Sequence, residues 1–217
     1  MTFKMIERII SVIFPNRCPY CNKIIGSGLT ECGECFKELD KTPKISHTDA
    51  GIICISPFFY DSKVRQSILK YKFRGVAFNA RSYAKAMCSA VESAGIKDDF
   101  DIITFVPLSK SRERERGFNQ SEKVAEIVGE FFNKPCRALL VKTKNNKNQH
   151  DLNLVERREN VRGVYSVCKN EDVSGMRILL IDDIVTTGNT LSECLNVLKD
   201  SGAENVICMS IATATLD

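Results

Sequence analysis

Short aliphatic runs alternate with stretches of helical spacing along most of this chain. Ile52 to Tyr60, Asp101 to Pro107, Leu139 to Lys142, Gly163 to Val167, Arg177 to Ile181 and Asn205 to Ile211 read as strands. Pro57 is tolerable in the first of these near a sheet edge. Between them, apolar residues recur every three or four positions. Val64, Ile68 and Leu69 mark a helix over Asp61 to Tyr71, and Tyr83, Met87 and Val91 one over Ala80 to Ala94. Val124, Ile127, Val128 and Phe131 mark a third over Ser121 to Phe132. A fourth opens at Asn189 to Leu191 and carries Leu191, Cys194, Leu195 and Leu198. This alternation predicts an α/β domain with a mainly parallel sheet. Ile6, Ile9, Ile10 and Ile13 add a short amphipathic helix at the start. The polar stretch Lys41 to Asp49, with Pro43, marks a boundary between a small module at 1–45 and the α/β domain at 46–217.

With 217 residues, 43% of them hydrophobic, the chain can fill one full domain and a small appendage. A formal net charge of +4 suits anionic small molecules and is too weak alone to argue for nucleic acid. No run approaches transmembrane length, and the first residues lack a signal peptide's apolar core and cleavage site. A cytoplasmic protein is expected.

Ten cysteines fall into two groups. Cys54, Cys88, Cys136, Cys168, Cys194 and Cys208 are scattered through apolar segments, as small packed hydrophobes are. Cys18, Cys21, Cys32 and Cys35 form two C-x-x-C knuckles, four soft ligands able to close a tetrahedron around structural Zn²⁺. So short a segment has little core, and the metal would supply much of its folding energy. Disulfides and an iron–sulfur cluster are the competing readings. His47, just beyond, reads as a surface residue.

The richest stretch runs from Arg177 to Thr190, R-I-L-L-I-D-D-I-V-T-T-G-N-T. An aliphatic strand ends in two carboxylates, then passes through a threonine-rich turn into a helix N-terminus. Backbone N–H groups of such a turn converge on an anion, and Gly188 permits close approach. Thr186, Thr187 and Thr190 can donate hydroxyl hydrogens. Asp182 and Asp183 would repel a phosphate but accept well from sugar hydroxyls. Together they point to a ribose 5-phosphate, against the blander reading of an ordinary turn with a solvated Asp pair.

Two further polar segments stand out. After the Asp101 to Pro107 strand, Leu108 to Gln120 reads L-S-K-S-R-E-R-E-R-G-F-N-Q, where ligands bind in open parallel sheets. Arg112, Arg114 and Arg116 can clamp phosphate, or pair with Glu113 and Glu115 on an exposed helix start. Lys70, Lys72 and Arg74 before Gly75 read as a solvated face. Thr143 to Asn160 is long and polar, and its His150 reads as solvated.

The Arg177 to Thr190 stretch resembles the signature of type I phosphoribosyltransferases, which bind 5-phosphoribosyl 1-pyrophosphate (PRPP). With the cysteine knuckles, Phe14-Pro15 and V-P-L-S-K-S-R-E-R-E-R-G-F-N-Q, the whole chain resembles the ComF family of competence-associated proteins. That family joins a four-cysteine, zinc-ribbon-like module to a type I phosphoribosyltransferase-like domain. The resemblance implies that Asp182 and Asp183 hold ribose and are the catalytic acids. It also implies that these two, with Val185, Thr186, Thr187, Gly188, Asn189 and Thr190, bind PRPP. Leu108, Ser109, Lys110, Ser111, Arg112 and Arg116 take the pyrophosphate-loop position. Ser109 and Lys110 stand where many relatives have His and Pro. Gln149, Arg157 and Asn160 match features of the flexible loop that closes over the site. Mg²⁺ is implied with the pyrophosphate. The family's association with natural transformation implies a role in DNA uptake, with single-stranded DNA and a DNA translocase or helicase as partners. It leaves two functions open: phosphoribosyl transfer to an unknown nitrogen acceptor, or a non-catalytic DNA-uptake accessory that uses the fold as a scaffold.

Overall fold

The computed structural model describes residues 15–73, 78–143 and 163–214. The N-terminal amphipathic pattern, Arg74 and the Gln149, His150, Arg157 and Asn160 positions lie outside them.

After the cysteine knuckles a short helix, α1 (Gly33–Glu38), leads to a hairpin of β1 (Lys44–His47) and β2 (Ile53–Ser56). β1 falls in the stretch read from sequence as a polar boundary, and it runs across position 45. β3 (Phe58–Phe59), α2 (Ser62–Phe73) and α3 (Asn79–Ser93) follow. The chain then gives β4 (Ile102–Phe105), α4 (Lys110–Arg116) and α5 (Gln120–Phe132). A small hairpin of β5 (Leu140–Lys142) and β6 (Tyr165–Val167) precedes β7 (Arg177–Val185), α6 (Asn189–Asp200) and β8 (Asn205–Thr213).

The main sheet runs β1-β2-β8-β7-β4, antiparallel only between β1 and β2. The expected strand Ile52 to Tyr60 is broken in two at Pro57. Pro has no N–H to donate, so the ladder lapses there. Cys54 faces Cys208 and Phe58 faces Ala212, so both halves keep the same register on β8.

β7 is the centre. Ile178, Leu179, Leu180 and Ile181 are all fully buried, as expected of a parallel strand covered on both faces. Leu179 and Ile181 pack toward α3 and α5 with Val124, Val128 and Met87. Ile178 and Leu180 pack toward α6 with Leu191, Cys194 and Leu198. The cysteine module shares the first of these cores. Its Tyr20 lies edge-on to Phe58 and Tyr83, with centroids 5.8 and 6.3 Å away, and accepts a hydrogen bond from Ser82 Oγ at 3.2 Å. Cys18 and Cys35 are buried in the same cluster.

Candidate functional site

β7 runs four residues beyond the expected Ile181 before it stops. Asp182 and Asp183 are therefore on the strand, at its C-terminal end, and only Thr186 to Gly188 form the turn. Gly188 has φ +77°, and a Cβ there would come within 2.3 Å of Thr48 Oγ1. Only glycine combines that conformation with that clearance. Thr48 heads the β1–β2 turn, whose Ala50 N–H donates to the Thr187 carbonyl at 3.2 Å. The turn before α6 is thus braced from outside. No side chain caps α6 at Gly188, so the helix N-terminus opens beside the two carboxylates. A Gly188→Ala variant is expected to lose about 2–3 kcal/mol of stability through left-handed strain and the Thr48 clash, read by urea denaturation.

The two acids have different surroundings. Asp182 accepts from Ser121 Oγ at 3.2 Å and from the Asp183 N–H at 2.8 Å. Burial and the neighbouring Asp183 carboxylate push its carboxyl up to about 7. Asp183 instead makes an ion pair with Lys72 Nζ at 2.9 Å, both side chains being largely buried. The sequence reading had Lys72 on a solvated face; α2 turns it inward, to an acid 111 positions away. Nothing local signals this contact. Lys142, at the end of β5, is drawn down to about 8, mainly by burial and then by Arg112. It lies within the electrostatic reach of Asp182.

The expected basic loop is a helix from Lys110 onward. Ser109 caps it, its Oγ accepting the Arg112 N–H at 3.3 Å. Leu108 is half-buried, Lys110 and Ser111 are exposed, and Arg112 is half-buried. Arg116 donates to Gln120 Oε1 at 2.9 Å and lies over the Phe73 ring at 5.4 Å. Burial lowers its pKa, and the nearby Asp183 and Asp182 carboxylates oppose that shift.

Gly117 to Gln120 resists explanation by charge pairing, and the structure gives each residue a task. Gly117 ends α4 in the left-handed region. Phe118 packs against Tyr71, centroids 5.4 Å apart. Asn119 caps α5 through Ser121 N–H and Glu122 N–H, and donates to the Val106 carbonyl at 3.0 Å. Gln120 is fully buried. Asn119→Ala removes the cap and strands a buried carbonyl, so a loss of about 2 kcal/mol is expected on urea titration.

Cys18, Cys21, Cys32 and Cys35 bring their sulfurs within 4.8 Å of one another. Zn–S bonds of about 2.3 Å set tetrahedral sulfurs about 3.8 Å apart, so one ion fits the cage. None of the four is paired in a disulfide, nor is any of the scattered six. No helix among the described residues is long and apolar enough to cross a membrane.

Residues 116–215 match the phosphoribosyl transferase domain family. The chain is 31% identical over 151 residues to competence protein ComFC of Bacillus subtilis, a match covering 68% of this chain and 58% of that protein. It is 28% identical over 206 residues to competence protein F of Haemophilus influenzae, covering 91% and 84%. Phosphoribosylpyrophosphate synthetase of Mycobacterium smegmatis aligns structurally at 21% identity and a TM-score of 0.40, over 62% of this chain and 34% of that one. The chain thus spans less than two thirds of ComFC and about a third of the synthetase.

Proposed function

From the premise that the chain belongs to the ComF family of competence proteins and carries a type I phosphoribosyltransferase domain, we propose that the end of β7 binds PRPP. One observation carries this reading: an uncapped helix N-terminus, opened by a left-handed glycine, adjoins two carboxylates on the preceding strand. The turn takes the 5-phosphate on the N–H groups around Gly188, Asn189 and Thr190, with Val185, Thr186 and Thr187 forming its approach. Asp182 and Asp183 accept from the ribose hydroxyls. Ser109 to Arg112 and Arg116 flank the departing pyrophosphate. Mg²⁺ bound with that group would neutralise part of its charge. Gln149, Arg157 and Asn160, outside the described residues, keep only the role that the family resemblance implies, in the loop that covers the site.

The chemistry is displacement of pyrophosphate from C1 by a nitrogen nucleophile. Positive charge gathers on the ribosyl ring as negative charge grows on the leaving group. The chain's residues position the reactants, set cations beside the departing oxygens and exclude water. No covalent nucleophile is required. We assign a structural Zn²⁺ to the four cysteines, since a multi-iron cluster spreads its cysteine sulfurs over separate metals. The protein's role on this reading lies in DNA uptake, as the names of its relatives suggest.

The test is calorimetric titration of the folded, zinc-loaded protein with PRPP and Mg²⁺, against ribose 5-phosphate and pyrophosphate separately. Tighter binding of PRPP than of either fragment is expected, since it spans both subsites. Absence of PRPP binding overturns the reading. The second reading, a scaffold for single-stranded DNA or a translocase, is favoured by the exposed Lys110 and Arg114 on α4. Its mark is a steep fall in DNA affinity with salt, which one small-molecule pocket does not show.

A further inference from the structure

The last turn of α2 lies outside both motifs that define the pocket, yet it touches each of them. Lys72 Nζ is 2.9 Å from Asp183 Oδ2, and the neighbouring Phe73 lies under the Arg116 guanidinium. Tyr71, one residue earlier, is fully buried and donates to the Gln120 carbonyl at 2.9 Å. Three successive residues thus fix this turn against α4, α5 and β7. An ion pair of this kind is not surface decoration: 15% of the Lys72 side chain and 13% of the Asp183 side chain are exposed. Two long-lived consequences follow from its burial. The carboxylate is restrained, because the ammonium holds one of its oxygens, Oδ2. And one of two adjacent acids is charge-balanced before an anionic ligand arrives, in a place where unbalanced charge is costly.

We propose that Lys72 is the positioning residue for Asp183: through its ion pair it orients the carboxylate toward the ribose hydroxyls and makes the acid pair compatible with a polyanionic ligand. This rests on the PRPP reading above. Lys72 does not contact the ligand itself on this account. It acts through Asp183, and that distinction is what an experiment can read. A lysine that merely supports the fold would change stability without coupling to Asp183 in ligand affinity. A lysine that binds phosphate directly would lower affinity whether or not Asp183 were present.

The experiment is a double-mutant cycle on PRPP affinity, measured by calorimetry with Mg²⁺ on full-length, zinc-loaded protein. The variants are Lys72→Met, Asp183→Asn and the pair, with Lys72→Arg as the conservative replacement. Lys72→Met is expected to weaken binding about 30-fold, the low end for truncating one member of a desolvated charge pair. In the Asp183→Asn background the same change is expected to cost less than about threefold. Lys72→Arg, which keeps the charge and a donor, is expected to recover most of the affinity. Equal losses in both backgrounds overturn the positioning role, as does an unchanged affinity in Lys72→Met. If the wild type does not bind PRPP, the pocket reading fails before this one is reached. A thermal scan of each variant accompanies the titration. Should Lys72→Met be unfolded, Lys72→Arg and Lys72→Gln carry the cycle in its place, and equal affinity in the two overturns the proposal.

Discussion

An Asp182→Asn/Asp183→Asn protein is expected to bind PRPP at least about 100-fold more weakly than the wild type while remaining folded. Each amide can still accept one hydrogen bond, but it cannot supply the charge-assisted contacts that a carboxylate offers to ribose hydroxyls. Titration calorimetry reads the loss, and a variant that binds as well as the wild type would remove the acids from the site. Stability gives an independent reading for the single Asp182→Asn variant. The Asp182 carboxyl titrates near 7 in the folded chain and at about 3.9 when unfolded. Between those values the folded state holds the extra proton, so stability falls as pH rises from about 4 to about 7 and then stays reduced. Asn cannot ionise. The variant is therefore expected to melt higher than the wild type at pH 8, and the gap should close as the pH is lowered toward 4. The upper bound on the effect is about 4 kcal/mol, and relaxation around a buried group will leave less. A protein that becomes more stable as it loses its ligand is the behaviour expected of a binding acid held in an unfavourable place.

The second large effect concerns the cysteine cage. Chelation, or Cys35→Ser, is expected to cost several kcal/mol and to unfold the module, because a single ion supplies most of a small cage's folding energy. The loss should not remain local. Tyr20 sits between Phe58 and Tyr83, and Cys18 and Cys35 are buried in the core that continues into α3. Removing zinc therefore opens one wall of the main domain's first core. The expected record is a lower melting temperature for the whole protein, with faster amide exchange in α3 as well as in residues 15–39. Metal analysis should find one zinc per chain. Two separate transitions, with the main domain melting unchanged, would contradict this shared core.

The aliphatic run at 178–181 and the turn after it were legible because their chemistry is local. Burial on both faces needs a continuous apolar run, and a helix start beside an anion site needs glycine and small polar residues within a few positions. What eluded sequence reading depends on partners far along the chain. Lys72 looks like any other lysine in a basic stretch, and its meaning comes from Asp183. The raised Asp182 carboxyl follows mainly from desolvation in the folded chain, which no spacing records. The strand reading placed the acids just past the end of β7, because a carboxylate within a buried strand runs against pattern. The pattern fails where the fold places carboxylates within a strand, a departure expected of functional positions. Leu108 to Arg116 was legible in its position but not in its form, since alternating Arg and Glu serve a phosphate clamp and an exposed helix equally well.

The contact between Thr48 and Gly188 bears on how the protein can be taken apart. Thr48 belongs to a hairpin whose first strand follows the cysteine module, yet it fills the space that a side chain at Gly188 would need. A fragment beginning at residue 46 would lose half of β1 and leave the buttress of the Thr186 to Gly188 turn on a frayed end. Grafting a different metal module onto this domain, or this module onto another domain, would succeed only if residues 44–56 travelled with the turn before α6. The two pieces look like interchangeable parts in the sequence, but the seam between them runs along the turn that opens α6.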